Sequence, residues 1–153
     1  MATPHHINIL QPNTDQKGYW AFKVTGVRPT SRAQIVKKIK SGIKFSAISE
    51  LEVAFDASQR EVAELLSIPA STLTRRKKAG QLLSDESDRV VRFANLKDAA
   101  VDLMQGDDMA AIAWLKTPLD ILSGETPLEH ATTELGARDV EDLIGRLRHG
   151  VFS

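Results

Sequence analysis

The chain has 153 residues, 42% of them apolar and 26% charged, with no cysteine and 20 basic side chains balancing 20 acidic ones. That length suits one domain, or two small ones sharing a core, and excludes a large catalytic barrel or a long repeat array. The lack of cysteine removes disulfide scaffolds, thiolate zinc sites, iron-sulfur clusters and cysteine nucleophiles together.

Residues 1–30 carry Pro4, Pro12, Gly18, Gly26 and Pro29 without helical periodicity and read as a flexible arm. Within it Tyr19, Trp20, Phe22, Val24 and Val27 suggest a short strand, an anchor docked on the body or a partner, or plain core packing. No apolar run approaches the roughly 18 residues that span a bilayer, and residues 1–11 lack the build of a signal peptide. The expectation is a soluble, cytoplasmic protein with no membrane partner.

From Thr30 onward every segment reads as helix, so the fold class is all-α. A first helix places Ile35, Val36 and Ile39 on one face and stops at Gly42. A second begins at Ser46 with Ile48, Leu51 and Phe55 at helical spacing. A third opens at Ser58, where Ser58 and Glu61 form a capping box. It buries Val62, Ala63, Leu65 and Leu66 and ends at Ser67-Ile68-Pro69, and a fourth runs from Ala70 to Ala79 before Gly80.

The longest helix runs from Ser84 to about Gln105, with a broad apolar stripe that includes Val90, Val91, Ala94, Val101 and Met104. A stripe of that width can serve more than one neighbour, including a second copy of the chain. Asp107 caps a helix holding Met109, Ile112, Trp114 and Leu115, which Pro118 ends. Thr126-Pro127-Leu128-Glu129 opens another, expected to close at Gly136. The last helix aligns Val140, Leu143, Ile144 and Leu147 and is followed by Gly150 and an apolar tail, Val151-Phe152-Ser153.

The strongest local signal is the pair of helices around Ser67, at about residues 59–79. Helix-turn-helix units need a small residue where the helices meet, a turn-tolerant residue and apolar positions that lock the pair. Ala63, Ser67, Ile68 and Leu73 fill those roles. The second helix then presents Ser71, Thr74, Arg75 and Lys78 on one side, with Thr72, Arg76 and Lys77 beside them. On a DNA duplex the hydroxyls and Arg75 meet base edges and the other cations meet phosphates. The bland alternative is two packed helices with a solvated basic end. Arg76 occupies a place where an apolar residue is usual, and is expected to bury its stem and expose its head.

Charge is segregated beneath the zero total. Residues 1–44 carry a net +7 and residues 81–153 a net −7, so a polyanion and a cationic partner are drawn to different ends. Catalytic constellations are thin. His5, His6, His130 and His149 form no metal-binding pattern and read as surface histidines. Asp107, Asp108, Asp139, Glu141 and Asp142 sit at helix starts, where capping accounts for them. With no phosphate-binding loop, nucleophile elbow or dinucleotide fingerprint, the reading is a non-enzyme without cofactor or metal.

The string from Ser71 to Arg89, STLTRRKKAGQLLSDESDR, strongly resembles the Xre/MbcA/ParS-type antitoxins. Trp114-Leu115, Pro118, Leu122, Gly124, Thr126-Pro127-Leu128, Gly136, Val140, Leu143-Ile144, Arg146-Leu147 and Gly150-Val151 resemble that family's toxin-binding domain. The resemblance covers about residues 31–153. It implies a helical DNA-binding and dimerisation region over 31–104 and a small helical toxin-binding domain over 105–153. It further implies an antitoxin paired with a RES-domain toxin that consumes NAD, a repressor acting on operator DNA, and a homodimer within a larger toxin-antitoxin assembly.

A cleft that holds the phosphates of NAD must be cationic, so the acidic end of this chain suits it. Arg146, Gly150, Val151, Phe152 and Ser153 are the expected toxin contacts, with Phe152 filling a pocket and the Ser153 carboxylate meeting cations. The rival reading is a stand-alone helix-turn-helix regulator whose acidic domain only dimerises or senses a ligand. An enzyme is a distant third.

Overall fold

Local capping chemistry sets most helix boundaries in the computed structural model, which describes residues 17–28 and 30–150. The elements are α1 Tyr19–Thr25, α2 Arg32–Ser41, α3 Ala47–Phe55, α4 Gln59–Leu65, α5 Ala70–Ala79, α6 Ser84–Leu103, α7 Asp108–Leu115, a 3-10 turn Asp120–Leu122, α8 Pro127–His130 and α9 Glu134–His149. No strand occurs among the described residues, where the one ladder contact is an isolated bridge between Lys44 and Gln81. The all-α expectation holds.

Ser58, Asp107, Thr126 and Thr133 each accept a hydrogen bond from the backbone N–H three residues on, which fixes the starts of α4, α7, α8 and α9. At Ser58 the box is half formed, because the hydroxyl donates to the Glu61 carboxylate at 3.3 Å. At Thr126 it is complete, with Glu129 accepting from the Thr126 N–H at 3.1 Å. The bond from the Thr126 N–H, and after it a hydrogen bond with the Thr126 side chain, lower the Glu129 pKa.

α6 is the axis of the fold and touches α1, α2, α3, α7 and α9. Its 20 residues give it a length of about 30 Å. Val90, Val91, Phe93, Ala94, Leu96, Ala100 and Val101 are all buried along it. The chain's own helices thus cover the stripe that the sequence offered to a second copy. Phe93 meets Phe55 of α3 edge-on, with ring centroids 6.2 Å apart. The core runs on without a break through Leu115, Leu122, Leu128, Val140, Leu143 and Ile144.

Two expectations need correction. The described part of the arm, residues 17–28, contains helix α1 and neither a strand nor a loose segment. Trp20, Ala21 and Val24 are buried at helical spacing, and Asp98 of α6 accepts from the Trp20 and Ala21 N–H groups at 2.8 and 2.9 Å. The carboxylate that satisfies this helix start comes from 78 residues away, so the local sequence shows no cap. The second concerns Gly136, which was expected to end a helix and instead lies in the first turn of α9. A Cβ there would lie 1.8 Å from the His130 carbonyl oxygen, so glycine is required for α8 to abut α9.

Candidate nucleic-acid interface and partner-binding domain

The turn between α4 and α5 is built by backbone bonds. Ile68 N–H donates to Ala63 O at 2.9 Å and Ser67 N–H to Glu64 O at 3.1 Å, closing the last turn of α4. Ser67 itself adopts φ +57, the left-handed region that glycine fills without strain. Val62, Ala63, Leu66 and Ile68 are buried beneath the turn. Arg89 of α6 donates to the Leu66 carbonyl at 2.7 Å, which fastens the end of α4 to the central helix.

On α5 the structure brings most of the expected DNA-binding residues to one surface. Ser71, Thr74, Arg75, Lys77 and Lys78 are exposed and Thr72 is half-buried. The Arg75 guanidinium donates to the Thr72 hydroxyl at 3.1 Å, and Thr74 donates to Ala70 O at 3.1 Å. Arg75, Lys77 and Lys78 have no carboxylate within ion-pair distance among the described residues, so their charge is free for a polyanion.

Arg76 departs from its expected role. Its head, expected in solvent, is turned inward: Nε donates to Glu86 Oε1 at 2.7 Å, and the two side chains are only 16% and 6% exposed. The same carboxylate oxygen accepts from the Leu83 N–H at 2.8 Å. The hydrogen bond to Glu86 raises the Arg76 pKa against the opposing effect of burial. Arg76 therefore locks α5 to α6, and its charge is already matched.

The acidic half of the chain is tied to the first half by lysines that the sequence did not single out. The Lys97 side chain is fully buried, 2.9 Å from Asp108 Oδ1, and donates to the Ala54 carbonyl of α3. Its ammonium lies 4.9 Å from the centroid of the Trp20 ring. Burial lowers the Lys97 pKa, and the contact with Asp108 opposes that shift. Lys116 donates to the Asp56 carbonyl at 2.8 Å. Asp108 is thus more than a helix-start acid.

His130 also departs from its reading as a plain surface histidine. Its side chain is 20% exposed, with Nδ1 2.9 Å from Glu125 Oε1 and Nε2 3.0 Å from Asp139 Oδ2. Both contacts raise its pKa, that with Asp139 more strongly. Among the expected toxin contacts, Arg146 is exposed beside Glu141, Asp142, Gly145 and His149 on α9. Gly150 ends that helix at φ +65, while Val151, Phe152 and Ser153 lie outside the described residues. Among the described residues no cluster of three or more His, Asp or Glu could hold a metal, and no helix is long and apolar enough to cross a membrane.

Fold and surface together define a helix-turn-helix regulatory protein with an appended helical binding domain. Residues 34–95 match the family model for the antitoxin Xre-like helix-turn-helix domain, and residues 99–150 that for the antitoxin Xre/MbcA/ParS C-terminal toxin-binding domain. The chain is 37% identical over 143 residues to an antitoxin Xre of Yersinia enterocolitica, covering 93% of this chain and 95% of that protein. A second antitoxin Xre, from Photorhabdus laumondii, is 30% identical over 148 residues, covering 96% and 100%. One from Pseudomonas putida is 36% identical over 84 residues, covering 54% and 52%. The chain belongs to the Xre antitoxin family. The two matched regions meet inside α6, with Lys97 and Asp98 in the gap between them.

Proposed function

We propose that this chain neutralises a cognate RES-domain toxin, an NAD-consuming enzyme, and represses its own operon by binding promoter DNA. The observation that carries this reading is the division of charge between the two domains. Helix α5, in the helix-turn-helix half, carries Arg75, Lys77 and Lys78 without ion-pair partners among the described residues, and the toxin-binding half from 99 to 150 holds ten carboxylates against four cations. The acidic half suits a cleft that accommodates the phosphates of a dinucleotide.

In this reading Arg146 and Gly150–Ser153 meet the toxin, with Phe152 occupying part of its nucleotide site. Ser71, Thr72, Thr74 and Arg75 face base edges, and Lys77 and Lys78 face phosphates. The working form is a cytoplasmic homodimer within a larger toxin-antitoxin assembly.

Co-expression with the adjacent reading frame tests the toxin half. The two products should co-purify, the second should be lethal alone, and removal of residues 151–153 should weaken protection. Full protection by the shortened chain would sink the plugging mechanism, and a harmless neighbour would favour a stand-alone regulator. For the DNA half, Arg75→Ala with Lys78→Ala should lower affinity for the upstream promoter and flatten its salt dependence.

A further inference from the structure

From residue 17 to residue 49 the sequence has eight Lys and Arg and no Asp or Glu. Four of these cations, Arg32, Lys37, Lys38 and Lys40, lie on α2, which has no fully buried residue and rests on the body through the half-buried Ile35 and Ile39. Among the described residues the one carboxylate within ion-pair reach of this stretch is Glu50, 4.0 Å from Lys23. The helix dipole favours cations in a last turn, which accounts for Lys38 and Lys40. It does not account for a whole stretch without an acid.

The placement of α2 gives this charge a direction. Its C-terminal end is fastened to the C-terminal end of α5. Leu82 N–H donates to Ile43 O at 2.8 Å, and Phe45 N–H donates to Gly80 O at 3.0 Å. The Gln81 amide donates to the Ser41 carbonyl at 2.7 Å. Gly42 makes the joint possible, since at φ +93 a Cβ would lie 2.4 Å from the Leu82 carbonyl oxygen. Buried Ser87 braces the same point by accepting from the Ile43 N–H at 2.8 Å. Lys44, whose backbone bridges to Gln81, is exposed at this joint.

We propose that α2 is a second DNA-contacting element, in which Lys37, Lys40 and Lys44 hold phosphates beside the stretch read by α5. This inference rests on the DNA-binding reading of α5. Charge decides the occupant: two copies meeting through α2 would set lysine against lysine, whereas a duplex supplies the missing anions. Such contacts position the protein and carry no sequence information.

The test uses the full chain and two duplexes of equal length, one from the upstream promoter and one of random sequence, titrated over a range of salt. The Lys37→Gln, Lys40→Gln variant keeps helix propensity and should retain the parent's thermal unfolding. It should bind both duplexes more weakly by the same factor, with the salt slope reduced by about 2. Arg75→Ala with Lys78→Ala should instead narrow the difference between the duplexes. If the α2 variant keeps the parent slope while the α5 variant weakens binding, the inference falls and the reading of α5 stands. If neither variant changes binding, both fall. A change in sedimentation with an unchanged slope would assign α2 to a second copy and overturn the inference.

Discussion

Lys97 on α6 places its ammonium 2.9 Å from Asp108 Oδ1 on α7, and this charge contact closes the seam between the two family domains. Lys97 is fully buried whereas Asp108 is 39% exposed, so the two partners should not respond alike to removal. Asp108→Ala strands a buried cation and should cost about 3 kcal/mol. Lys97→Met fills the same space without charge and leaves Asp108 partly exposed, so its cost is set mainly by the Ala54 carbonyl that loses its donor and should be smaller, about 1 to 2 kcal/mol. Chemical denaturation of both variants checks this, and equal losses would contradict it.

Asp98 should make stability fall as pH rises from 3.8 to about 6. Burial pushes its pKa up from 3.8 to about 6, against the opposing bonds from the Trp20 and Ala21 N–H groups. A carboxyl whose folded pKa is raised contributes stability that is complete below its unfolded value and is lost as pH rises through about 6. The full swing is about 3 kcal/mol. Denaturation midpoints at pH 4 to 7 should show this slope in the parent and lack it in Asp98→Asn.

His130 should add a second, later decline. Asp139 and then Glu125 raise its pKa above 6.5, so its contribution is present below 6.5 and is lost as pH climbs through the raised value. Protection of the amides in α8 and the start of α9 should therefore weaken as pH climbs above 6.5. A His130→Gln variant whose protection changes with pH as the parent's does would remove the histidine from this account.

Gly136→Ala should cost more than about 2 kcal/mol, because the added methyl meets a backbone carbonyl that cannot swing aside. Gly145→Ala, where a Cβ meets nothing within 4 Å, is the control and should be neutral or stabilising. Thermal unfolding of the pair separates crowding from helix propensity.

Ser67→Gly should stabilise the helix-turn-helix by up to about 1 kcal/mol. Relief of the left-handed strain outweighs the greater freedom that glycine gives the unfolded chain. A loss of stability would mean that Ser67 holds its conformation through a contact worth more than the strain.

The sequence made legible what three or four residues can specify. Ser58 before α4, Thr126-Pro127 before α8 and Gly80 after α5 carry their capping chemistry beside them, and the helices begin and end where that chemistry sits. The exposed side of α5 followed from the same periodicity. Other features depended on distant partners. Asp98 caps a helix 78 residues away, Lys97 reaches a carbonyl 43 residues away, and Arg76 turns inward because packing brings Glu86 beneath it. Gly136 carries the lesson in reverse: glycine after a helical stretch usually ends it, but here it makes room for a neighbouring carbonyl.

Because α6 belongs to both matched domains, the described residues offer no hinge at which the two could be cut apart. A gene fragment ending near residue 97 would sever a helix in mid-span and strip Val101, Leu115 and Ile144 from the interior that Phe93 helps to fill. Neither half could be inherited, swapped or spared by a protease without the other.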